Sequence, residues 1–345
     1  MAREWWTGIE MGDLLEWDTV YTSGASTVAV STSVVRSGAY SLRLYGQGIG
    51  YAYVQHDLAT AVAELYVRVG FRFDTNNIEN APVINFLDTA GAELGTVYIS
   101  SNNYLHADIG GSDVATGPTT LQVDTWYLLE ARLKVDDSAG VFQVHLDGST
   151  EINFSGDTKP GSTTTIGSVR FEGGVTWAST GATYIDDIAI NDTTGTRDID
   201  WPGEGHIVAY APAANGTYND FAIGGSSPPA NDWQAVDDIP ANDDTDYVYS
   251  STTGEQSTFT SAASGLVAVV IKHMAIEGRF AESAATGETM AIMIRNNSTD
   301  HVGTYNALTT SYSNVFREDY AQDPDTSADW TVASVDNLEF GVEAG

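Results

Sequence analysis

Residues 65–73 read Leu-Tyr-Val-Arg-Val-Gly-Phe-Arg-Phe, so apolar side chains recur at every second position. Successive side chains of a β-strand point to opposite faces, so this pattern predicts a strand with one face in a core and the other toward solvent. Three further stretches repeat the alternation, at residues 27–30, 41–45 and 142–146. Together they predict half-buried antiparallel strands and an all-β fold.

Composition supports the same fold class and indicates two domains. The chain has 345 residues, more than the roughly 250–300 at which single cores tend to split. It contains 34 glycines and 10% aromatic residues but only 14 lysines and arginines, which favours strands and turns over long helices. A polar, turn-rich stretch at residues 191–203 predicts a linker. We therefore expect domains at residues 1–197 and 198–345.

Charge and cysteine content exclude several classes of function. A formal net charge of −33 repels phosphates and anionic lipids, so we expect neither nucleic acid nor an inserted membrane as partner. The chain has no cysteine, which excludes disulfides, thiol nucleophiles and zinc–thiolate sites. The first 30 residues lack the apolar core of a signal peptide, and the sequence therefore predicts synthesis in the cytoplasm.

The first 192 residues resemble the concanavalin A-like or laminin-G-like jelly roll. The likeness lies in the strand, strand and Asp-Gly turn of residues 125–133 and 142–148, in the opening strands at 8–13 and 35–44, and in the closing strand at 184–190. The resemblance implies a jelly-roll sandwich, followed here by a second, smaller β-sandwich. It says little about function, because this fold hosts lectins, carbohydrate-binding modules, hydrolases and structural adaptors.

The C-terminal part resembles structural proteins of tailed phages. The likeness lies in residues 323–331 and 335–342, with earlier support from 211–217 and 243–248. It covers most of residues 206–343 and carries no catalytic motif. The resemblance implies a place, the virion surface, on the capsid or the tail.

The jelly-roll resemblance also implies a metal site. In several binding modules of this fold, a glutamate on the first strand and an aspartate on the last hold a structural calcium ion, and Glu10 and Asp187 stand at the matching places. Carboxylate oxygens are the ligands that Ca²⁺ prefers. The alternative is that Glu10 is a solvated edge residue and that Asp187 ends a strand by accepting bonds from backbone amides.

The sequence shows none of the catalytic motifs that we compared with it. The Glu-x-Asp-x-x-Glu string of the laminarinase-like branch does not occur, and the six histidines lack a Gly-x-Ser-x-Gly elbow. We therefore predict that the chain is not an enzyme. Five aromatic residues are candidates for stacking on sugar rings, with core packing as the alternative use: Trp5, Trp6, Tyr51, Tyr53 and Tyr104.

These observations predict a non-enzymatic virion structural protein, a capsid decoration or tail-associated protein with a lectin-like surface domain. Its partners would be other virion proteins, and we expect a homo-oligomer because virion positions are repeated by symmetry. The alternative function is a carbohydrate-binding module that attaches to host or environmental glycans. Structural calcium is the one cofactor that the sequence suggests.

Overall fold

The computed structural model describes residues 3–47, 50–75, 81–174, 180–267, 269–312 and 315–345. These residues are almost entirely in strands and connecting turns, so the all-β prediction is confirmed. The chain divides into two compact units, Met1–Val208 and Ala209–Gly345. The first unit thus extends past the boundary expected after residue 197. In the described residues, no helix is long or apolar enough to cross a membrane.

The described residues of the first unit form fifteen strands. They are β1 Arg3–Thr7, β2 Thr19–Thr22, β3 Thr27–Ser31, β4 Ser41–Gln47, β5 Tyr51–Val62, β6 Glu64–Phe73, β7 Ala81–Leu87, β8 Glu93–Ile99, β9 Tyr104–Ile109, β10 Ser112–Thr120, β11 Tyr127–Lys134, β12 Gly140–Leu146, β13 Ser149–Gly156, β14 Ile166–Gly174 and β15 Thr180–Asn191. The alternating stretch 65–73 lies in β6, and Val67, Val69, Phe71 and Phe73 are fully buried, as the alternation predicts. Tyr66 and Arg68 of the opposite face are buried as well, so the expectation that this face points to solvent is wrong.

Two antiparallel sheets make up this unit. The eight-stranded sheet has the order β13-β12-β11-β6-β15-β4-β3, with β1 added on β15, and the seven-stranded sheet has the order β10-β9-β8-β7-β14-β5-β2. A single apolar core of side chains from both sheets lies between them, which is the arrangement of the predicted jelly-roll sandwich. Phe71 and Phe142 of the first sheet and Phe86 and Phe171 of the second are fully buried there.

The second unit is built on one larger sheet. Its described strands are β16 Pro212–Asn219, β17 Ala222–Gly224, β18 Tyr247–Tyr249, β19 Gln256–Ser261, β20 Met274–Arg279, β21 Thr289–Asn296, β22 Thr299–Val302, β23 Asn306–Ala307, β24 Val315–Tyr320 and β25 Glu339–Ala344. The short helices are α1 Val332–Asp336 and two 3₁₀ turns, Asp232–Ala235 and Asp243–Thr245.

Six of these strands form a sheet in the order β16-β19-β25-β21-β22, with β23 paired to β21. Strands β17 with β18 and β20 with β24 make two small antiparallel two-stranded sheets. Two apolar clusters stabilise the unit, one around Phe221 and Val342 and the other around Ile294, Trp330 and Leu338. Both clusters are much smaller than the core of the first unit, so less apolar surface stabilises the second one.

Candidate functional site

The predicted pair Glu10 and Asp187 lies near the loop that joins β3 and β4. Both carboxyl groups are buried, and the negative charge of Asp187 contributes to raising the pKa of Glu10. The Glu10 carboxylate accepts hydrogen bonds from the backbone N–H groups of Ala39, at 3.0 and 3.2 Å, and Tyr40, at 3.3 Å. Burial, partly offset by these bonds, raises the pKa of Glu10 to about 6. The fold therefore brings two residues together that are far apart in sequence.

Asp187 is surrounded by donors from this loop and from the end of the first unit. Its carboxylate accepts bonds from Arg36 Nη1 at 2.5 Å, from Ser37 Oγ at 2.7 Å and from the backbone N–H of Ile207 at 2.7 Å. Its neighbour Asp186 is fully buried, and burial followed by the charge of Asp187 raises the pKa of Asp186. Buried negative charge thus concentrates at this point.

Calcium at this position stays a prediction. The Glu10 and Asp187 carboxylates carry hard oxygen ligands, and the charge of Asp187 acts repulsively on Glu10; a bound divalent cation would relieve this repulsion. In the part of the chain that is described, however, no group of three or more Asp, Glu, His or Cys side chains has the arrangement of a metal site. The protein's own donors, including the Arg36 guanidinium, fill the positions around Asp187.

A second group of polar residues covers the outward side of the seven-stranded sheet, which we call the polar face. Cross-strand pairing places seven polar residues side by side in one row over all seven strands. In sheet order from β2 to β10 they are Thr19, Gln55, Arg170, Asn85, Thr96, Asp108 and Asp113. The intervening residues of the five central strands point inward and are fully buried: Val54, Phe171, Ile84, Val97 and Ala107. The row therefore lies on the side of the sheet that faces away from the core. Two of its members, Asn85 and Thr96, are nevertheless buried by their neighbours.

The neighbouring row of the polar face adds aromatic and ionisable side chains. Tyr21, Tyr53 and Glu172 are paired at one side of the sheet, and Tyr98, His106 and Thr116 at the other. The two rows together span seven strands, about 29 Å at the usual spacing between strands. Such a surface has the length of an extended oligomeric ligand rather than of a single small molecule.

Arg170 occupies the middle of the polar face. Its Nε and Nη2 atoms donate to Gln55 Oε1 at 3.2 and 3.0 Å, and its guanidinium lies 4.0 Å from the centre of the Tyr53 ring. Gln55 in turn donates to Asp57 Oδ1 at 2.7 Å. These contacts hold the guanidinium in a fixed orientation. A planar guanidinium that is already hydrogen-bonded and stacked loses little further conformational freedom when a ligand binds.

Glu172 lies one row away from Arg170 on the same strand, β14. Asn85 Nδ2 donates to Glu172 Oε2 at 3.4 Å, and Asn85 is itself fixed by a bond of 2.7 Å from Thr96 Oγ1. Burial raises the pKa of Glu172 to about 7; the charge of Arg170 lowers it, and that of Glu93 raises it. A carboxyl group with such a pKa can gain or lose a proton near neutral pH.

Histidine and acidic groups occupy the β9 and β10 side of the polar face. His106 Nδ1 lies 2.7 Å from Asp113 Oδ2, and the His106 ring stacks on Tyr98 with 5.0 Å between centres. Burial and then the charges of Asp113 and Asp108 raise the pKa of Tyr98 to about 12. The Tyr98 hydroxyl therefore remains a neutral hydrogen-bond donor.

Three tyrosines form a patch at the β2 and β5 side. The Tyr21 ring lies 5.0 Å from Tyr53 and 5.8 Å from Tyr51 between centres, in stacked orientations, and Tyr21 and Tyr51 are exposed. Tyr51 and Tyr53 are thus on the polar face, and Tyr104 lies on the same side of β9 as His106 and Asp108. Trp5 instead packs on Trp17 and stacks on His56, at 4.9 and 4.4 Å, so core packing accounts for it.

No sequence motif identifies Arg170, Glu172 and Asn85 as one group on the polar face. The positions 51, 53, 55 and 57 of β5 and 168, 170 and 172 of β14 carry polar or tyrosine side chains at period two, and that signal is visible in the sequence. The pairing of β14 with β5 and β7 is not visible in the sequence, because it joins residues more than 80 positions apart. Arg170, Glu172 and Asn85 therefore belong to one site only once the sheet order is known.

No protein-family model matches the chain, and no curated protein matches it. Solved structures with a similar fold include an endo-β-1,4-glucuronan lyase from the fungus Trichoderma reesei, which is 17% identical with a TM-score of 0.47 over 58% of this chain and 99% of its own. The cellulose induced protein Cip1 is 20% identical, with a TM-score of 0.45 over 59% and 100% of the two chains. The carbohydrate-binding module CBM66 from Bacillus subtilis is 12% identical, with a TM-score of 0.35 over 51% and 98%. At such identities the likeness is one of fold.

These matches correct two predictions. The prediction that the chain is not an enzyme is contradicted, because similar structures include the glucuronan lyase and several alginate lyases. A missing motif therefore does not make the chain non-enzymatic. The resemblance to tailed-phage virion proteins finds no support, since the matches named above include no virion protein. Partners, oligomeric state and virion location stay predictions.

Proposed function

We propose that the first unit binds a polysaccharide along its polar face. The observation that carries the proposal is the pair of adjacent rows across seven strands, which presents tyrosine rings and hydrogen-bonding groups on the same side of the sheet. Sugars are recognised in this way, because their apolar C–H faces pack on aromatic rings while their hydroxyls exchange hydrogen bonds. The length of the two rows suits several consecutive sugar units.

Arg170 and Tyr53 are the residues on which binding should depend most. They lie on the adjacent strands β14 and β5 and are fixed by their contact with each other, and Arg170 is also fixed by Gln55. A rigid donor beside an aromatic ring binds a ligand at a small cost in conformational entropy. Removal of either side chain should weaken binding at least tenfold.

The test is affinity measurement on a panel of soluble and insoluble polysaccharides with the wild-type chain and the variants Arg170→Ala and Tyr53→Ala. The eight-stranded sheet supplies a matched control, because the Arg43 guanidinium lies 4.4 Å from the Tyr45 ring centre on β4. Arg43→Ala should leave binding unchanged. Equal losses in the Arg170 and Arg43 variants, or no binding of any polysaccharide by the wild type, would refute the proposal.

A second candidate function is cleavage of the bound polysaccharide, with Glu172 as the group that transfers a proton. What favours it is a buried carboxyl beside Arg170 whose pKa is about 7, since acid–base catalysis is most efficient near the operating pH. Glu172→Gln would keep the shape and remove the titration. We expect this variant to retain binding and to release no new reducing ends from a polysaccharide that the wild type cleaves.

A further inference from the structure

Negative charge dominates the polar face. Among its described residues Arg170 is the one permanent cation, with His106 as a titratable neighbour. Five carboxyl groups share the same side of the sheet: Asp57, Glu93, Asp108, Asp113 and Glu172. Glu172, whose pKa is about 7, is only partly ionised near neutral pH. These carboxyl groups lie on five of the seven strands, β5, β14, β8, β9 and β10, so an extended ligand lying across the sheet would meet several of them.

The single cation is already engaged by its neighbours. Two N–H groups of Arg170 donate to Gln55, and the flat side of its guanidinium lies on Tyr53. Glu93 and Glu172 both lie within electrostatic reach of it, which offsets the positive potential that it would present to a ligand. One neutralised arginine cannot balance a ligand that carries a charge on each unit.

We infer that the polysaccharide bound by this face is uncharged and that polyuronates are disfavoured. The inference rests on the proposed function and adds the substrate class to it. A carboxylate on every sugar would lie among fixed carboxylates of the same sign in a partly desolvated surface, where repulsion is stronger than in water. The hydroxyls of a neutral glycan meet acceptors instead, because ionised carboxylates accept hydrogen bonds from them.

The experiment compares pairs of polymers that share a backbone and differ in charge. Suitable pairs are β-1,4-glucan and β-1,4-glucuronan oligomers, mannan and mannuronan oligomers, and methyl-esterified and de-esterified homogalacturonan. Binding to the full chain is measured at low ionic strength, where repulsion is least screened, and again at about 0.5 M NaCl. In a pair whose neutral member binds, we expect the uronate member to bind at least tenfold more weakly at low salt, with a smaller difference at high salt.

A charge variant tests the cause directly. Glu93→Gln with Asp113→Asn removes two carboxylates from the polar face and should raise the affinity for the uronate member at least fivefold. Its matched control is Asp137→Asn with Asp157→Asn, which removes two exposed carboxylates near the β11–β12 and β13 turns and should change nothing. This comparison separates local repulsion from the effect of the net charge of the whole chain.

The outcomes distinguish the two proposals. A uronate polymer that binds as tightly as its neutral partner, or more tightly, overturns this inference and leaves polysaccharide binding intact. An unchanged uronate affinity in the Glu93 and Asp113 variant also overturns it, since local charge would then not set the preference. If no member of any pair binds, the proposed function itself fails, and the inference fails with it.

Discussion

A buried carboxyl group holds its proton to a higher pH than one in water, and Glu172 is in that situation. Burial raises its pKa from 4.5 to about 7, and the opposing effect of Arg170 does not cancel that rise. In the unfolded chain Glu172 regains an ordinary pKa, so between these values the folded state binds more protons than the unfolded one. The stability of the fold must then decrease as the pH increases through this range.

We predict that Glu172→Gln removes part of this pH dependence. The wild-type free energy of unfolding should fall between about pH 4.5 and 7 relative to the variant, by an amount on the order of 3 kcal/mol for the full shift. Urea unfolding of both proteins at several pH values measures the difference. Curves with the same pH dependence would mean that Glu172 is solvated and has no special role.

The site around Asp187 yields a second prediction at the residue scale, which concerns calcium. If an ion binds between Glu10 and Asp187 in the native state alone, it stabilises the fold by about 2.7 kcal/mol at a hundredfold excess over Kd. Ca²⁺ should then raise the melting temperature of the first unit and EDTA should lower it. Asp187→Asn keeps the shape but weakens a hard-cation ligand, so it should abolish the response.

The control for calcium is Asp244→Asn, which changes an exposed carboxylate in the second unit and should leave the response intact. Coincident melting curves with EDTA and with excess Ca²⁺ would show that Glu10 and Asp187 are ordinary carboxylates. In that case the protein's own donors, among them Arg36, Ser37 and the backbone of Ala39, would satisfy these two carboxylates without an ion.

At the scale of elements, the sequence predicts individual strands better than it predicts which strands pair with one another. The alternation in residues 65–73 predicted β6 and its core face, because burial of one sheet face imposes that period directly. It did not predict that Tyr66 and Arg68 on the opposite face are buried too, where Trp201 and Gly203 contact them. The order β5-β14-β7 joins strands that are far apart along the chain, so local patterns could not place Arg170 between Gln55 and Asn85.

The segment after β15 also behaves as part of the first unit, although its composition indicates a linker. Trp201 stacks on His145 with 3.9 Å between ring centres, and the Gly203 N–H donates to the buried carboxylate of Glu130 at 2.6 Å. Arg68 Nη1 donates to the Gly203 carbonyl at 3.1 Å, and Ile207 N–H to Asp187 at 2.7 Å. Turn-rich composition predicts the absence of regular structure but does not predict the absence of packing.

We therefore predict that a fragment of residues 1–208 is more stable than one of residues 1–197. Removal of the segment leaves Glu130 and Arg68 buried with fewer partners, and each lost partner of a buried polar group costs about 1–3 kcal/mol. Urea unfolding of the two fragments should differ by at least about 2 kcal/mol. Equal stability would indicate that the unit ends at residue 197, where the sequence alone suggested the boundary.

Net charge acts at the scale of the whole molecule. The formal charge of −33 comes from 47 acidic and 14 basic residues, so most carboxylates have no cation to pair with. Each of them repels its neighbours, and folding brings them closer together than they are in the expanded chain. The folded state therefore carries an electrostatic cost that depends on the salt concentration.

We predict that added salt stabilises the protein. Increasing NaCl from about 0.01 to 0.3 M shortens the screening length from about 30 Å to less than 10 Å, which removes repulsion between all but adjacent carboxylates. The melting temperature should rise by at least about 3 °C, the shift that corresponds to about 1 kcal/mol in units of this size. KCl should give the same shift, because screening depends on ionic strength and not on the identity of the cation. A melting temperature that stays constant or falls up to about 1 M NaCl would mean that the carboxylates are too widely spaced or too well hydrated for their repulsion to limit stability.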